Sequence, residues 1–187
     1  MKKIIETKAD IAFLTEIKTI IQTGRNNAYS SVNSLVVMTY WQIGKRIVEQ
    51  EQRGKERAEY GMKLIKMLSE ELSKEFGKGF SERNLRNFRK FYLLFPDNNI
   101  WQACLPNLTW SHFSCLLRVE NENARLWYLK ESAKENWSSR TLDRNIGTQY
   151  YYRLLQAPEK EKVIAEMQKK TKDLQKTPFE IIKNPVV

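Results

Sequence analysis

The chain has 187 residues, 41% of them hydrophobic, with 32 Lys and Arg against 22 Asp and Glu, a formal charge of +10 and a pI near 9.6. That length and apolar content support one core-bearing domain with at most an appendage, and exclude a chain disordered throughout. The basic excess points to a polyanionic partner, either nucleic acid or an anionic membrane surface, without choosing between them.

Lys2, Lys3, Glu6, Lys8 and Asp10 break up the N-terminus, so no apolar signal-peptide core is expected there. Cys104 and Cys115 lack CxxC spacing, which suits a reduced cytoplasmic protein, the alternative being a disulfide between them. A first helix is expected over residues 10–24, capped by Asp10 and running through Ile11, Leu14, Ile17 and Ile21 towards Gly24. A second, over 26–52, returns along it as a helical hairpin spanning about 10–53. The uncharged run 26–44 is no membrane span, because Asn26, Asn27, Ser30, Ser31, Asn33, Ser34 and Gln42 interrupt it. Val32, Leu35, Val36, Tyr40 and Ile43 recur there at helical spacing and are expected in the core.

A third helix begins near Glu59 after the charged loop EQRGKERAEYG, aligns Tyr60, Leu64, Leu68 and Leu72 in one stripe, and stops at Gly77. Ser81 caps a fourth that ends before Pro96. Residues 97–107 read as an irregular loop. Further helices are expected in LTWSHFSCLLRVE behind Thr109, in NENARLWYLKESAKENW, in SRTLDRNIGTQYYYRLL behind Ser138, and after Pro158. No segment alternates as strands do, so the fold class is all-α and multi-helical. The expected division is a single helical domain over 1–169, with a helix-turn-helix core at about 57–155, and a linker or tail over 170–187.

The stretch FGKGFSERNLRNFRKFYLLFP carries the sharpest functional signal. At one residue per 100°, Leu85, Phe88, Tyr92 and Phe95 share a sector that faces the third helix, while Arg83, Arg86, Asn87 and Lys90 face outward and Asn84 and Arg89 flank them. Guanidinium binds phosphate or guanine bidentately, asparagine pairs with the adenine edge, and a helix entered through a short turn suits a major groove. The alternative is a solvated face, which explains most basic helix surfaces. The scarcity of acids, Glu82 apart, favours DNA. Lys78 in the turn and Arg57 in the preceding charged loop complete the expected set. Leu93 and Leu94 point off the apolar sector and predict a covering element or a partner.

Three passages, VNSLVVMTYWQIGKRIVEQEQRGKERAEYG, LSEELSKEFGKGFSERNLRNFRKFYLLFP and LTWSHFSCLLRVENENARLWYLKESAKENWSSRTLDRNI, resemble the N-terminal domain of the YhcG-type proteins of the PD-(D/E)xK nuclease superfamily. The resemblance covers most of residues 25–155. It implies a helix-turn-helix or winged-helix domain ahead of a nuclease domain. A weaker similarity, to the helix-turn-helix region of ParB-type partition proteins, favours an all-α arrangement over a β-wing.

A PD-(D/E)xK site needs an acid and a downstream (D/E)xK on adjacent strands to bind a divalent metal. No strand-like (D/E)xK follows Pro96-Asp97, and the letters ETK at Glu6 and EIK at Glu16 lie on helix-patterned sequence. The resemblance therefore implies a nuclease domain beyond TPFEIIKNPVV, or a separate nuclease subunit, and any divalent metal would sit there. No cofactor or metal is expected in this chain. His112, the only histidine, reads as an orienting group at a helix start rather than a general base, and the cysteines are wrongly spaced for zinc. Paired aromatics at 40–41, 127–128 and 150–152 fit the core better than base stacking, with one ring of the tyrosine run outward. The expected function is non-catalytic targeting of a nuclease to duplex DNA; the alternative is a protein-interaction or homodimerisation module. An autonomous nuclease is the third reading, and no membrane partner is expected.

Overall fold

The computed structural model describes residues 8–53, 58–96 and 101–174. Eight α-helices follow in order among them: α1 (Lys8–Arg53), α2 (Ala58–Phe76), α3 (Glu82–Leu94), α4 (Trp110–Leu116), α5 (Glu122–Lys134), α6 (Ser139–Gly147), α7 (Tyr150–Gln156) and α8 (Lys160–Thr171). Short 3-10 turns occupy Lys78–Phe80, Leu105–Asn107 and Lys172–Leu174. There is no strand among the described residues, so the all-α expectation holds and a β-wing has no place in them.

The expected hairpin over 10–53 is instead one 46-residue helix. Gly24 costs a helix interior only about 1 kcal/mol relative to alanine, and no proline enforces a break. The hydroxyls nearby join the helix: Thr15 Oγ1 donates to Ile11 O at 2.8 Å, Thr19 Oγ1 to Thr15 O at 2.9 Å and Ser31 Oγ to Asn27 O at 2.9 Å. Gln22 Nε2 donates to Asn26 Oδ1 at 2.8 Å, one turn on. Groups that favour turns when unpaired thus find partners inside the helix.

The C-terminal half of α1 is the spine of the domain. Val37, Tyr40, Trp41, Ile47 and Val48 are buried, whereas Val32 and Leu35, expected inside, are exposed. Gly44 is where α3 crosses: a Cβ there would lie 2.0 Å from Phe88 O. Only glycine permits that approach. Beside it the Tyr40 and Phe88 rings stack at 4.1 Å. Tyr40, Ile47, Ile65, Leu85 and Phe88 form a small core under α2 and α3. The larger core joins Val37, Trp41, Phe91, Phe95 and Trp101 to residues of α4 to α8. Half-buried Trp110 packs against both.

Several boundaries differ from expectation for identifiable reasons. Residues 101–107 are not loose: Trp101, Cys104 and Leu105 are buried, Pro106 O accepts from Ser30 Oγ at 2.8 Å, and Asn107 Nδ2 donates to Ala133 O at 3.0 Å. Asp97 lies outside the described residues. The helix expected behind Ser138 divides into α6 and α7, because Gln149 adopts a left-handed conformation (φ 53°) and turns the chain. Tyr128 Oη locks that corner, donating to Asn145 O and accepting from Tyr151 N, both at 3.0 Å. Residues 170–174, expected in the linker or tail, pack on the domain: Thr171 is buried and Leu174 O accepts from Ser138 Oγ and Thr141 Oγ1. Residues 175–187 lie outside the described part.

Candidate nucleic-acid interface

The connection from α2 to α3 runs over residues 77–81. Gly77, at φ 84°, supplies the left-handed turn after α2. Ser81 caps α3, its hydroxyl accepting from Asn84 N at 3.4 Å. Leu85, Phe88, Phe91 and Phe95 are buried, so the α3 sector is seated as expected, with Phe91 added and Tyr92 only half-buried. Its nearest support is α1 rather than α2, as the Gly44 crossing requires. Leu94 packs against the larger core, while Leu93 is exposed.

Packing divides the outward residues of α3 between two flanks. Arg83, Asn84, Asn87 and Lys90 line a groove of about 520 Å³ together with Ser81 and, from α4 and its end, Ser114, Cys115, Leu117 and Arg118. Arg86 lies on the other flank, lining a second groove of about 410 Å³ with Arg89, Glu51 and Tyr60. There Arg86 Nη2 meets Glu82 Oε2 at 2.6 Å, and Arg89 Nε donates to Glu51 Oε2 at 2.6 Å. The second flank is therefore largely self-neutralised. Lys78 is exposed in the 3-10 turn, and Arg57 lies outside the described residues.

In the first groove the charges stand differently. Arg83 and Lys90 are exposed and have no ion-pair partner among the described residues. Asn84 Nδ2 donates to Gly79 O at 2.9 Å, which ties the amide to the turn and leaves Asn87 as the freer amide. Arg118, which sequence reasoning did not select, reaches the rim from the end of α4, paired with Asp143 of α6. No local pattern marks it, because α3 and α4 meet only through tertiary packing. Cys115 lines the same groove as a neutral thiol; burial foremost, then Asp143, pushes its pKa up. The groove is thus a cationic and amide-bearing cleft, with contacts suited to phosphate oxygens and base edges.

His112 is a structural residue. It is buried, its Nδ1 accepts from Thr109 N at 3.1 Å in a capping box, and its Nε2 donates to Trp137 O at 3.0 Å. Cys104 and Cys115 form no disulfide. Among the described residues no cluster of three or more His, Cys, Asp or Glu is placed to hold a metal ion, and no helix is long and apolar enough to cross a membrane. Tyr40, Trp41, Tyr128 and Tyr150 are buried, and Tyr152 is the exposed ring of its run.

The sequence matches the model of the DUF1016 N-terminal domain over residues 16–153. It is also 36% identical over 179 residues to a protein of Escherichia coli (strain K12) named "Putative nuclease YhcG". That alignment covers 79% of this chain and 47% of the relative, so the chain spans about half the length of the curated relative it matches. No solved structure matches the chain.

Proposed function

We propose, from the premise that this chain belongs to the DUF1016 N-terminal domain family, that it holds duplex DNA for a nuclease and does not itself cut. The observation that carries this reading is the α3–α4 groove, where Arg83 and Lys90 stand unpaired among the described residues beside Asn87, with Arg118 across the cleft. A 13-residue helix such as α3 is about 20 Å long, enough to lie across a major groove roughly 12 Å wide. In this reading α2, the turn at 77–81 and α3 act as a helix-turn-helix, with α1 bracing α3 from behind.

Arg83 and Lys90 would neutralise phosphates, Asn87 would meet a base edge, and Arg118 would add less because Asp143 already neutralises it. Asn84 would hold the turn in shape through Gly79, Lys78 would touch the flanking backbone, and Arg86 would contribute less because Glu82 already neutralises it. The relative's name supports a nuclease connection, and the chemistry is assigned here to the part of that protein which this chain does not span. Fluorescence anisotropy with a labelled duplex at low salt tests the reading: binding weakened by Arg83→Ala with Lys90→Ala supports it, and no affinity for duplex refutes it. The exposed apolar side of α1 favours a second, compatible role in protein association.

A further inference from the structure

The N-terminal half of α1 is built unlike the half that carries the domain. At 100° per residue, its apolar side chains centre roughly 180° away from the sector of Val37, Tyr40, Trp41, Gly44 and Ile47 that faces the core. Phe13, Ile17, Ile20, Ile21, Val32 and Leu35 lie on this outer side, with Phe13 62% and Leu35 64% exposed. The side continuous with the core sector is mainly polar there, with Thr15, Thr19, Gln22 and Asn26 and with Ile11 and Tyr29 at its edge, and Ser30 bonds Pro106 O. The domain's own core therefore cannot be extended to cover the outer stripe. Such a stripe on a long helix is an interaction surface.

We propose that this stripe is covered by the same stripe of a second copy, as an antiparallel helix pair whose two-fold axis passes near Gly24. Charge argues against the polyanionic alternatives. Residues 10–35 hold two acids, Asp10 and Glu16, and two bases, Lys18 and Arg25, in a chain of net charge +10. The stripe's surroundings thus lack the basic excess that nucleic acid or an anionic lipid surface would select.

Shape argues for self-pairing in this direction. Gly24 and Ala28 sit on the stripe between larger residues, and nothing lies within 4 Å of a Cβ at Gly24, so two backbones can approach there. Antiparallel pairing about Gly24 sets Ile20 against the partner's Ala28, Ile17 near the partner's Ser31 and Val32, and Phe13 against the partner's Leu35. Large side chains then meet small ones, and the ends are clamped by two large ones. A parallel pair in register would set Ile20 on Ile20 and leave a gap at Gly24.

From 13 to 35 the strip is about 33 Å long and about 10 Å wide, smaller than the roughly 800 Å² per partner of a standard interface. The dimer is accordingly concentration-dependent. It is independent of the DNA-binding reading, and its test contains no DNA.

Sedimentation velocity of the chain over a concentration series should show a rising dimer fraction in wild type. Ile17→Gln with Ile21→Gln should remain monomeric at every concentration with its far-ultraviolet circular dichroism unchanged, while Leu155→Gln, at an exposed site on α7, should dimerise like wild type. Direction is read by oxidation: Gly24→Cys should link to itself, and Phe13→Cys should link to Leu35→Cys in a mixture but not to itself. Self-linking of Phe13→Cys overturns the antiparallel arrangement. A wild type monomeric at all concentrations overturns the proposal, whether neutral vesicles or a longer form of the protein then bind the stripe or nothing does.

Discussion

Replacing Arg83 and Lys90 together by alanine removes two exposed cations without touching the buried sector of α3, so the fold should persist. With Arg83, Lys90 and the exposed Lys78 each neutralising one phosphate, and Arg118 already paired with Asp143, log affinity should fall against log salt with a slope of about −2.7, taking about 0.9 per contact. Between 50 and 200 mM salt, that slope weakens wild-type binding by roughly 40-fold. The double variant keeps one contact, a slope of about −0.9 and a loss of roughly 3-fold to 4-fold over the same range. Arg86→Ala supplies the contrast: Glu82 neutralises Arg86 on the opposite flank, so the slope should stay near the wild-type value. Anisotropy titrations of a labelled duplex at several salt concentrations measure all three slopes. An unchanged slope in the double variant, or a drop in Arg86→Ala as large as that of the double variant, refutes the assignment of the α3–α4 groove.

Gly44→Ala forces a Cβ to within 2.0 Å of Phe88 O, so α1 and α3 must separate; urea unfolding should show a loss of about 3 kcal/mol. A stability equal to wild type would mean that the helices do not cross there. Tyr128→Phe strands Tyr151 N at the α6–α7 corner and leaves Asn145 O only the longer bond from Thr148 Oγ1 at 3.4 Å, and thermal unfolding should show a loss of about 2 kcal/mol. Burial foremost, then Glu131 and Glu135, pushes the Tyr150 hydroxyl up to about 12. The folded state holds that proton more tightly than an unfolded tyrosine at about 10, so its contribution is intact below pH 10 and is lost between about pH 10 and 12, by about 2 kcal/mol. Tyr150→Phe should have a flatter stability curve over that interval, and an identical slope would contradict the shift.

Much of the domain was legible in local pattern. Leu64, Leu85 and Phe88 recur at helical spacing and are buried, and Ser81, Thr109 and Ser138 open helices where their hydroxyls suggest. Helix formation and capping depend on residues three or four apart, so a single sequence carries that information. The break at Gln149 was less readable: Gly147, the nearby residue best suited to a left-handed turn, stays helical, and Gln149 takes the turn because Tyr128 holds Tyr151 N beyond it.

Local pattern alone therefore specifies the all-α class, the order of α2 to α8 apart from the α6–α7 division, the seating of α3 and the cationic character of its outer face. How that face is divided depends on packing between distant segments. The approach of α4 placed Arg118 beside Arg83 and Lys90, and the approach of α1 and α2 left Arg86 and Arg89 on the neutralised flank. Long-range packing also selects which apolar side of α1 enters the core. Periodicity reports that a helix has an apolar side, but burial depends on what the rest of the chain sets against it. Along α1 the body of the domain covers one side at 37–48 and leaves the opposite side, from Phe13 to Leu35, open.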